Sequence, residues 1–176
     1  MPLPSLFQNL VDQPVMARIR RNHGLEHATI HMLSRKKGGG RLAGHSDAAG
    51  FWLFGNLNEE EIRVAVDEAL GRLRAGERQL AIHPNCGTNL VTSGVLAGTA
   101  GALAMSGSGR STRGNLARLP FAAFFATLAL IFSRPLGTRI QQRITTTGDP
   151  GDLEILSIEK KPRGKIMAHR VSTRSS

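Results

Sequence analysis

No aspartate or glutamate occurs between Glu77 and Asp149, and this acid-free stretch is also the most apolar part of the chain. It contains two apolar segments, Asn89–Ser106 and Leu116–Ser133, each near the short end of the roughly 17–25 residues that cross a bilayer. Because carboxylates are costly in hydrocarbon, their absence fits a lipid environment. The pattern predicts a transmembrane helical hairpin over residues 89–133, with the buried hairpin of a soluble protein as the alternative.

Small residues dominate the first apolar segment. Gly94 and Gly98 form a GxxxG motif, which lets a second helix approach closely in a membrane. The partner face would come from small residues of the second segment: Ala122, Ala123 and Ala126. The same motif also predicts a homodimer through Gly94 and Gly98. Pro135 is expected to end the second helix.

The chain of 176 residues is basic, with 23 lysines and arginines against 13 acidic residues and a formal net charge of +10. Arginines flank the apolar segments, so a lipid bilayer with anionic headgroups is the expected partner. More arginines lie outside the two segments than between them, which favours an orientation with both ends of the chain in the cytoplasm. No predicted helix combines a basic face with interleaved aromatic residues, so nucleic-acid binding is not expected.

The remaining sequence predicts an α+β fold with a small mixed or antiparallel sheet and two amphipathic helices. The first helix is expected from about Pro14 to Arg35, and the second begins after Asn58, three residues before Glu61, as in a capping box. Strands are expected in four stretches: one or two in Arg41–Gly55, then Gln79–His83, Asp152–Glu159 and Lys165–Val171.

These patterns divide the chain into four parts. Residues 1–88 form an α+β part that carries a histidine cluster, and residues 89–133 form the membrane hairpin. Residues 134–171 form a C-terminal helix and strands that join the α+β part, and residues 172–176 are a disordered tail.

The histidine cluster lies in the first predicted helix. On a helical wheel, His23, Glu26 and His27 fall among the apolar residues of the core-facing side, whereas His31 lies at its edge. Burying such groups costs several kcal/mol unless they are paired or bind a metal. His23 and His27 are one turn apart and can converge on one ion, with Glu26 as a general base. The alternative is a hydrogen-bonded His–Glu–His network without a metal.

A third ligand is expected from another element, and His83 in the sequence IHPNCGTN is the first candidate. Cys86, three residues later, is the other, and histidine and cysteine ligands together favour zinc. His45 and Asp47, in a glycine-flanked loop, are a second possibility. Cys86, the single cysteine, also starts the first apolar helix, where the helix dipole stabilises a thiolate, so it is a candidate catalytic nucleophile as well.

Two resemblances bear on these residues. The H-x-x-E-H pattern resembles the inverzincin metallopeptidase motif, which implies His23 and His27 as metal ligands and Glu26 as the general base. The blocks RNHGLEHATIHML and LAIHPNCGTNL, followed by small-residue apolar helices, resemble an uncharacterised family of bacterial membrane proteins over most of residues 18–160. That second resemblance implies a membrane location and a joint role for the two blocks. Together with the arginine bias, it leads us to expect a protein of the bacterial inner (plasma) membrane with most of the chain in the cytoplasm.

The expected function is a membrane-anchored, zinc-dependent hydrolase that uses a His/Glu/His site. Two alternatives remain open. One is a non-catalytic membrane scaffold or assembly factor with a structural histidine network. The other is a membrane protein that binds anionic lipids through its basic flanks.

Overall fold

The computed structural model describes residues 13–36, 42–107, 112–163 and 166–176. The chain divides into two compact units: Met1–His83 with Gln142–Ser176, and Pro84–Gln141. The predicted boundaries are corrected accordingly, because the helical unit is longer at both ends than residues 89–133. The middle of the turn predicted between the two apolar helices lies outside the described residues.

Within the described residues, the first unit combines two α-helices with a four-stranded antiparallel sheet in the order β1-β2-β4-β3. The helices are α1 (Pro14–Lys36) and α2 (Glu59–Arg74), and the strands are β1 (Ala43–Asp47), β2 (Gly50–Phe54), β3 (Glu154–Arg163) and β4 (Ile166–Arg174). The predicted α+β class is confirmed, and the sheet is antiparallel rather than mixed.

Helix α2 begins as the sequence predicts. The Asn58 side chain accepts a hydrogen bond from the Glu61 backbone N–H at 2.7 Å, and the Glu61 carboxylate accepts one from the Asn58 backbone N–H at 3.2 Å. This reciprocal capping box satisfies two backbone donors that the helix leaves unpaired. The apolar stripe of α2 joins the core of the unit, where Leu25 of α1 and Phe51 of β2 are fully buried.

The strand predicted at Gln79–His83 is wrong, because Arg78–Ala81 forms a 3₁₀ turn instead. The turn packs against α1, and histidine side chains of α1 donate to the carbonyl oxygens at its end: His27 to that of Ala81, the last residue of the turn, and His31 to that of Ile82. In a strand, these carbonyl oxygens would accept hydrogen bonds from the backbone N–H groups of a neighbouring strand. Here they accept hydrogen bonds from imidazole N–H groups instead.

The disordered tail predicted at residues 172–176 is also wrong. Strand β4 continues to Arg174, because β3 pairs with it along its whole length. The last residue is bonded as well: the backbone N–H of Ser176 donates to Asp152 at 2.9 Å, and its carbonyl accepts from Arg21 at 2.7 Å.

The second unit contains helices α3 (Gly87–Met105) and α4 (Thr112–Ile140), which pack against each other. Helix α4 runs through Pro135, so the predicted helix end at this residue is wrong. A π-helical turn, Gln141–Thr145, follows α4 directly. The segment Gly114–Thr145 is the one described helix that is long and apolar enough to cross a membrane, and about a tenth of its most apolar part is buried (11%). The predicted pair of transmembrane helices is therefore reduced to one candidate span.

Small residues bring α3 and α4 together, at a different glycine from the one expected. A Cβ atom at Gly101 would lie 3.9 Å from the Ala122 carbonyl oxygen and 4.0 Å from the Ala126 Cβ. A Cβ atom at Gly94 or Gly98 would meet no atom within 4 Å. The GxxxG motif thus faces away from α4 and leaves a smooth outer surface on α3.

Candidate functional site

The histidine cluster is built on α1 and lies inside the first unit. Glu26 and His27 are 4% and 2% exposed, and His23 and His31 are half-buried on the same side of the helix. The helical wheel predicts His23, Glu26 and His27 on the core-facing side of α1, and the structure has them there. The wheel predicts His31 at the edge of that side, and this residue is half-buried as well.

Two imidazoles of this cluster are oriented by backbone carbonyl groups. His27 Nδ1 lies 2.7 Å from the Ala81 carbonyl oxygen, and His23 Nδ1 lies 2.9 Å from the Thr145 carbonyl oxygen. Because a carbonyl oxygen only accepts, each Nδ1 must carry the proton, and in the neutral imidazole the lone pair is on Nε2. Histidines that ligate metals through Nε2 are commonly held by a carbonyl at Nδ1 in this way.

His83 completes a row of imidazole rings. The ring centroids of His23 and His27 are 4.3 Å apart, those of His27 and His83 5.6 Å, and those of His31 and His83 5.0 Å. Two histidines on one tetrahedral zinc ion have ring centroids about 5 Å apart, given a Zn–N bond of about 2.0–2.1 Å. The observed separations bracket that value. Burial lowers the pKa of His83 to about 4, with further contributions from the neighbouring His27 and His31, so His83 is neutral near pH 7.

Glu26 reaches from α1 to strand β1. Its carboxylate accepts a short hydrogen bond from the Ser46 hydroxyl. Burial raises the pKa of Glu26, while the Ser46 hydrogen bond and the charge of His23 act in the opposite direction. The space for the carboxylate comes from Gly44, where a Cβ atom would lie only 2.5 Å from the Glu26 Cδ.

A second glycine lets the backbone approach His23. At Gly24, a Cβ atom would lie 3.3 Å from the Ala81 Cβ and would overlap the Thr147 carbonyl oxygen. The backbone N–H of Thr147 donates to the Arg20 carbonyl oxygen at 3.2 Å, which holds this segment on α1. The close approach brings the Thr145 carbonyl within reach of His23.

A cavity of about 420 Å³ lies in the first unit, and its lining contains no residue of the histidine cluster itself. It is lined by residues of two segments, 78–82 and 142–149. These are the segments whose carbonyl oxygens orient His23, His27 and His31. Most of the lining groups are polar: Arg78, Gln79, Gln142, Thr146, Thr147 and Asp149.

The other predicted site residues have different surroundings. Cys86 belongs to the second unit, where its Sγ accepts from the Thr88 backbone N–H at 3.4 Å and caps the start of α3. Asp47 forms a two-pronged ion pair with Arg170, with both N–O distances 2.8 Å. His45 is exposed, and strand alternation turns it to the face opposite Ser46 and therefore away from Glu26.

Sequence reasoning missed the groups that orient this site. His31 contacts His83 although the wheel assigned it to the edge of the core face. The Ser46 hydroxyl donates a hydrogen bond to Glu26. The groups that accept hydrogen bonds from the imidazole rings are backbone carbonyl oxygens, which cannot be recognised from residue types in a sequence. The signal in the sequence is glycine: Gly24 lies inside a helix and Gly44 inside a strand, and both make room for the site.

Comparison with known proteins finds similarity over most of the chain, including the segments that form the histidine cluster. A family model described as a domain of unknown function, DUF6391, matches residues 18–158, which include both histidine blocks and both apolar helices. The chain belongs to the DUF6391 family. An uncharacterized protein of Picosynechococcus sp. is 37% identical to it over 167 residues, covering 82% of this chain and 77% of that protein. No solved structure matches the chain. The expected kinship with an uncharacterised bacterial family is confirmed, whereas the inverzincin similarity rests on the five residues His23–His27 alone.

Proposed function

We propose that the chain is a membrane-anchored, zinc-dependent hydrolase in which His23, His27 and His83 hold the zinc ion and Glu26 is the general base. One observation carries the proposal. Two imidazoles one helical turn apart each donate Nδ1–H to a backbone carbonyl oxygen, so that both present Nε2 as the ligand atom. The neutral ring of His83 lies next to this pair, and a neutral imidazole is the form that binds a metal.

The chain's own residues supply the rest of the hydrolysis. Zinc, when bound, would polarise the scissile carbonyl. The oxygen of a water molecule adds to the carbonyl carbon, and its proton passes to the Glu26 carboxylate. Glu26 then gives this proton to the leaving amine or alcohol as the old bond breaks. The polar cavity lined by segments 78–82 and 142–149 offers room for a substrate with hydrogen-bonding groups, which fits a peptide or a lipid-derived ester or amide.

Metal content of the purified full-length chain tests the site directly. After loosely bound ions have been removed, we expect inductively coupled plasma mass spectrometry to find about one zinc ion per chain. His23→Ala and His27→Ala should each abolish stoichiometric zinc. His45→Ala is the matched control, because His45 is exposed on the other face of β1, and it should keep the ion. Absence of zinc and of any other stoichiometric metal from the unmodified chain overturns the proposal.

Catalysis is tested separately from metal binding. Glu26→Gln should keep the zinc ion and lower hydrolysis by about 100-fold or more, in the range that a general base contributes. Cys86→Ala should keep both the ion and the activity, which would remove the cysteine from the candidate nucleophiles. A Glu26→Gln protein with unchanged turnover would contradict the role given to Glu26.

A structural role for the histidines is the second candidate, and one observation favours it. The same hydrogen bonds tie α1 to the 3₁₀ turn through His27 and to β1 through Glu26. A metal-free protein in which His27→Ala lowers the free energy of unfolding, with no hydrolysis to lose, would support a membrane scaffold or assembly factor instead.

The membrane anchor is the second unit. Its large apolar side chains are exposed along both helices, among them Leu90, Val91, Phe121 and Phe132. An exposed apolar surface of this extent needs a nonaqueous environment or a partner. We expect the chain to remain in the membrane fraction after alkaline carbonate extraction, with the histidine unit on the cytoplasmic side of a bacterial inner membrane. Release of the chain by carbonate would contradict an inserted anchor.

A further inference from the structure

A groove of about 730 Å³ runs along the second unit between α3 and α4. It is independent of the histidine cluster, since every residue that lines it belongs to this unit. The lining residues are Pro84, Asn85, Asn89, Leu90, Ser93, Leu130, Arg134 and Thr138.

The groove is polar at the Asn85 end, and polar and apolar side chains both line the rest of it. Ser93 and Ser133 share a hydrogen bond of 2.6 Å, and a Cβ atom at Gly137 would lie 3.2 Å from the Asn89 Cα, which fixes the antiparallel register of the two helices. Arg134 is therefore at the level of the first turns of α3. In the same register Leu90 lies on the Asn85 side of Arg134 and Leu130 on the other side, and the two leucines are 71% and 47% exposed.

The charge in this groove has no counterpart within the unit. The sequence of Pro84–Gln141 contains no aspartate or glutamate. Among the described residues, the Arg134 guanidinium makes neither an ion pair nor a hydrogen bond. A guanidinium at the end of an apolar helix needs water or an anion, and a phosphate oxygen is the anion that lipid headgroups provide at this depth.

We propose that this groove binds one anionic phospholipid, with the phosphate against Arg134 and an acyl chain along Leu130. The polar end would bond the headgroup, and Leu130 would contact the acyl chain, which free phosphate lacks. The occupant is thus a lipid rather than a soluble phosphate compound, and the proposal does not depend on zinc or hydrolysis.

The full-length chain in an uncharged detergent tests this site by native mass spectrometry. Phosphatidylglycerol and phosphatidylcholine with identical acyl chains are titrated against the wild type, Arg134→Gln and Arg139→Gln. We expect one retained phosphatidylglycerol, preferred about fivefold over phosphatidylcholine, since an arginine near an anionic lipid contributes about that factor. Arg134→Gln should abolish the preference. Arg139→Gln, which removes the same charge from another face of α4, should keep it.

Three outcomes would overturn the proposal. The first is equal retention of the two lipids by the wild type. The second is an equal loss in the Arg134 and Arg139 variants, which would indicate a diffuse surface charge. The third is displacement of phosphatidylglycerol by millimolar glycerol 3-phosphate, which would indicate a soluble phosphate ligand. Because the Arg134 guanidinium makes no hydrogen bond or ion pair with the described residues, Arg134→Gln should leave the helical circular dichroism signal and the Trp52 emission unchanged.

Discussion

Substitution of Gly44 by alanine tests the contact between β1 and the carboxylate of Glu26. The added methyl group would lie 2.5 Å from the Glu26 Cδ and nearer still to one of its oxygens. Glu26 is buried and bonded to Ser46, so it has little room to move. Either the strand shifts or the carboxylate loses its hydrogen bond.

The expected free energy change follows from two opposing terms. Overpacking a buried site costs about 1–3 kcal/mol. Replacing glycine by alanine inside a strand returns about 0.5–1 kcal/mol. We therefore expect Gly44→Ala to lower the free energy of unfolding by about 1–2 kcal/mol. In a Glu26→Ala background the clash disappears, and the same substitution should be neutral or stabilising by about 0.5–1 kcal/mol.

Urea unfolding in detergent, followed by tryptophan fluorescence, measures all four proteins of this double-mutant cycle. Trp52 is the single tryptophan of the chain, and it lies in β2 opposite His45 of β1, so its emission reports on this unit. The cycle should give a coupling energy of about 1–3 kcal/mol between positions 44 and 26. Equal destabilisation by Gly44→Ala in both backgrounds would refute the reasoning, because the cost would then not come from Glu26.

Three further predictions use the same unfolding assay or a related one. Arg170 lowers the pKa of Asp47, and since Asp47 is 42% exposed, Asp47→Asn should cost about 1 kcal/mol at pH 7. That cost should shrink as the pH falls below the ordinary aspartate pKa of 3.8, because the wild type then loses the same charge; a pH-independent difference would contradict the ion pair. Asn58→Ala should cost about 1 kcal/mol through the lost cap of α2, and no change in the urea midpoint would count against the capping box. Gly101→Leu should lower the thermal stability of the helical unit, measured by circular dichroism in detergent, whereas Gly94→Leu should not; the reverse order would contradict the helix packing.

The regular elements could be predicted from local signals. The capping box at Asn58 and the apolar stripe of α2 are written in a few neighbouring residues, and the structure has both. The strands of the sheet could be predicted because the alternation of apolar and polar residues and the glycines at strand ends are visible in a single sequence.

The errors arose where a distant partner decides the conformation. Residues 79–83 have a strand-like composition, yet His27 and His31 satisfy the carbonyl oxygens of Ala81 and Ile82 and remove the need for a neighbouring strand. The last residues resemble a polar tail, but pairing with β3 orders them. Pro135 is accepted inside α4, although local rules predict a helix end there.

The candidate site combines both kinds of information. The spacing of His23 and His27 predicts two imidazoles on one helix face, but it is silent about the carbonyl groups that set which nitrogen carries the proton. The Thr145 carbonyl group reaches His23 because Gly24 lets the 145–147 segment approach α1. Glycine in a helix interior costs about 1 kcal/mol relative to alanine, and Gly44 in β1 carries a comparable cost. At two positions the chain thus has a residue that is unfavourable for its helix or strand. Gly24 adjoins His23, and Gly44 contacts Glu26. Sites where local preference yields to a specific contact are where function is expected, so the glycines point to the same residues as the histidine spacing does.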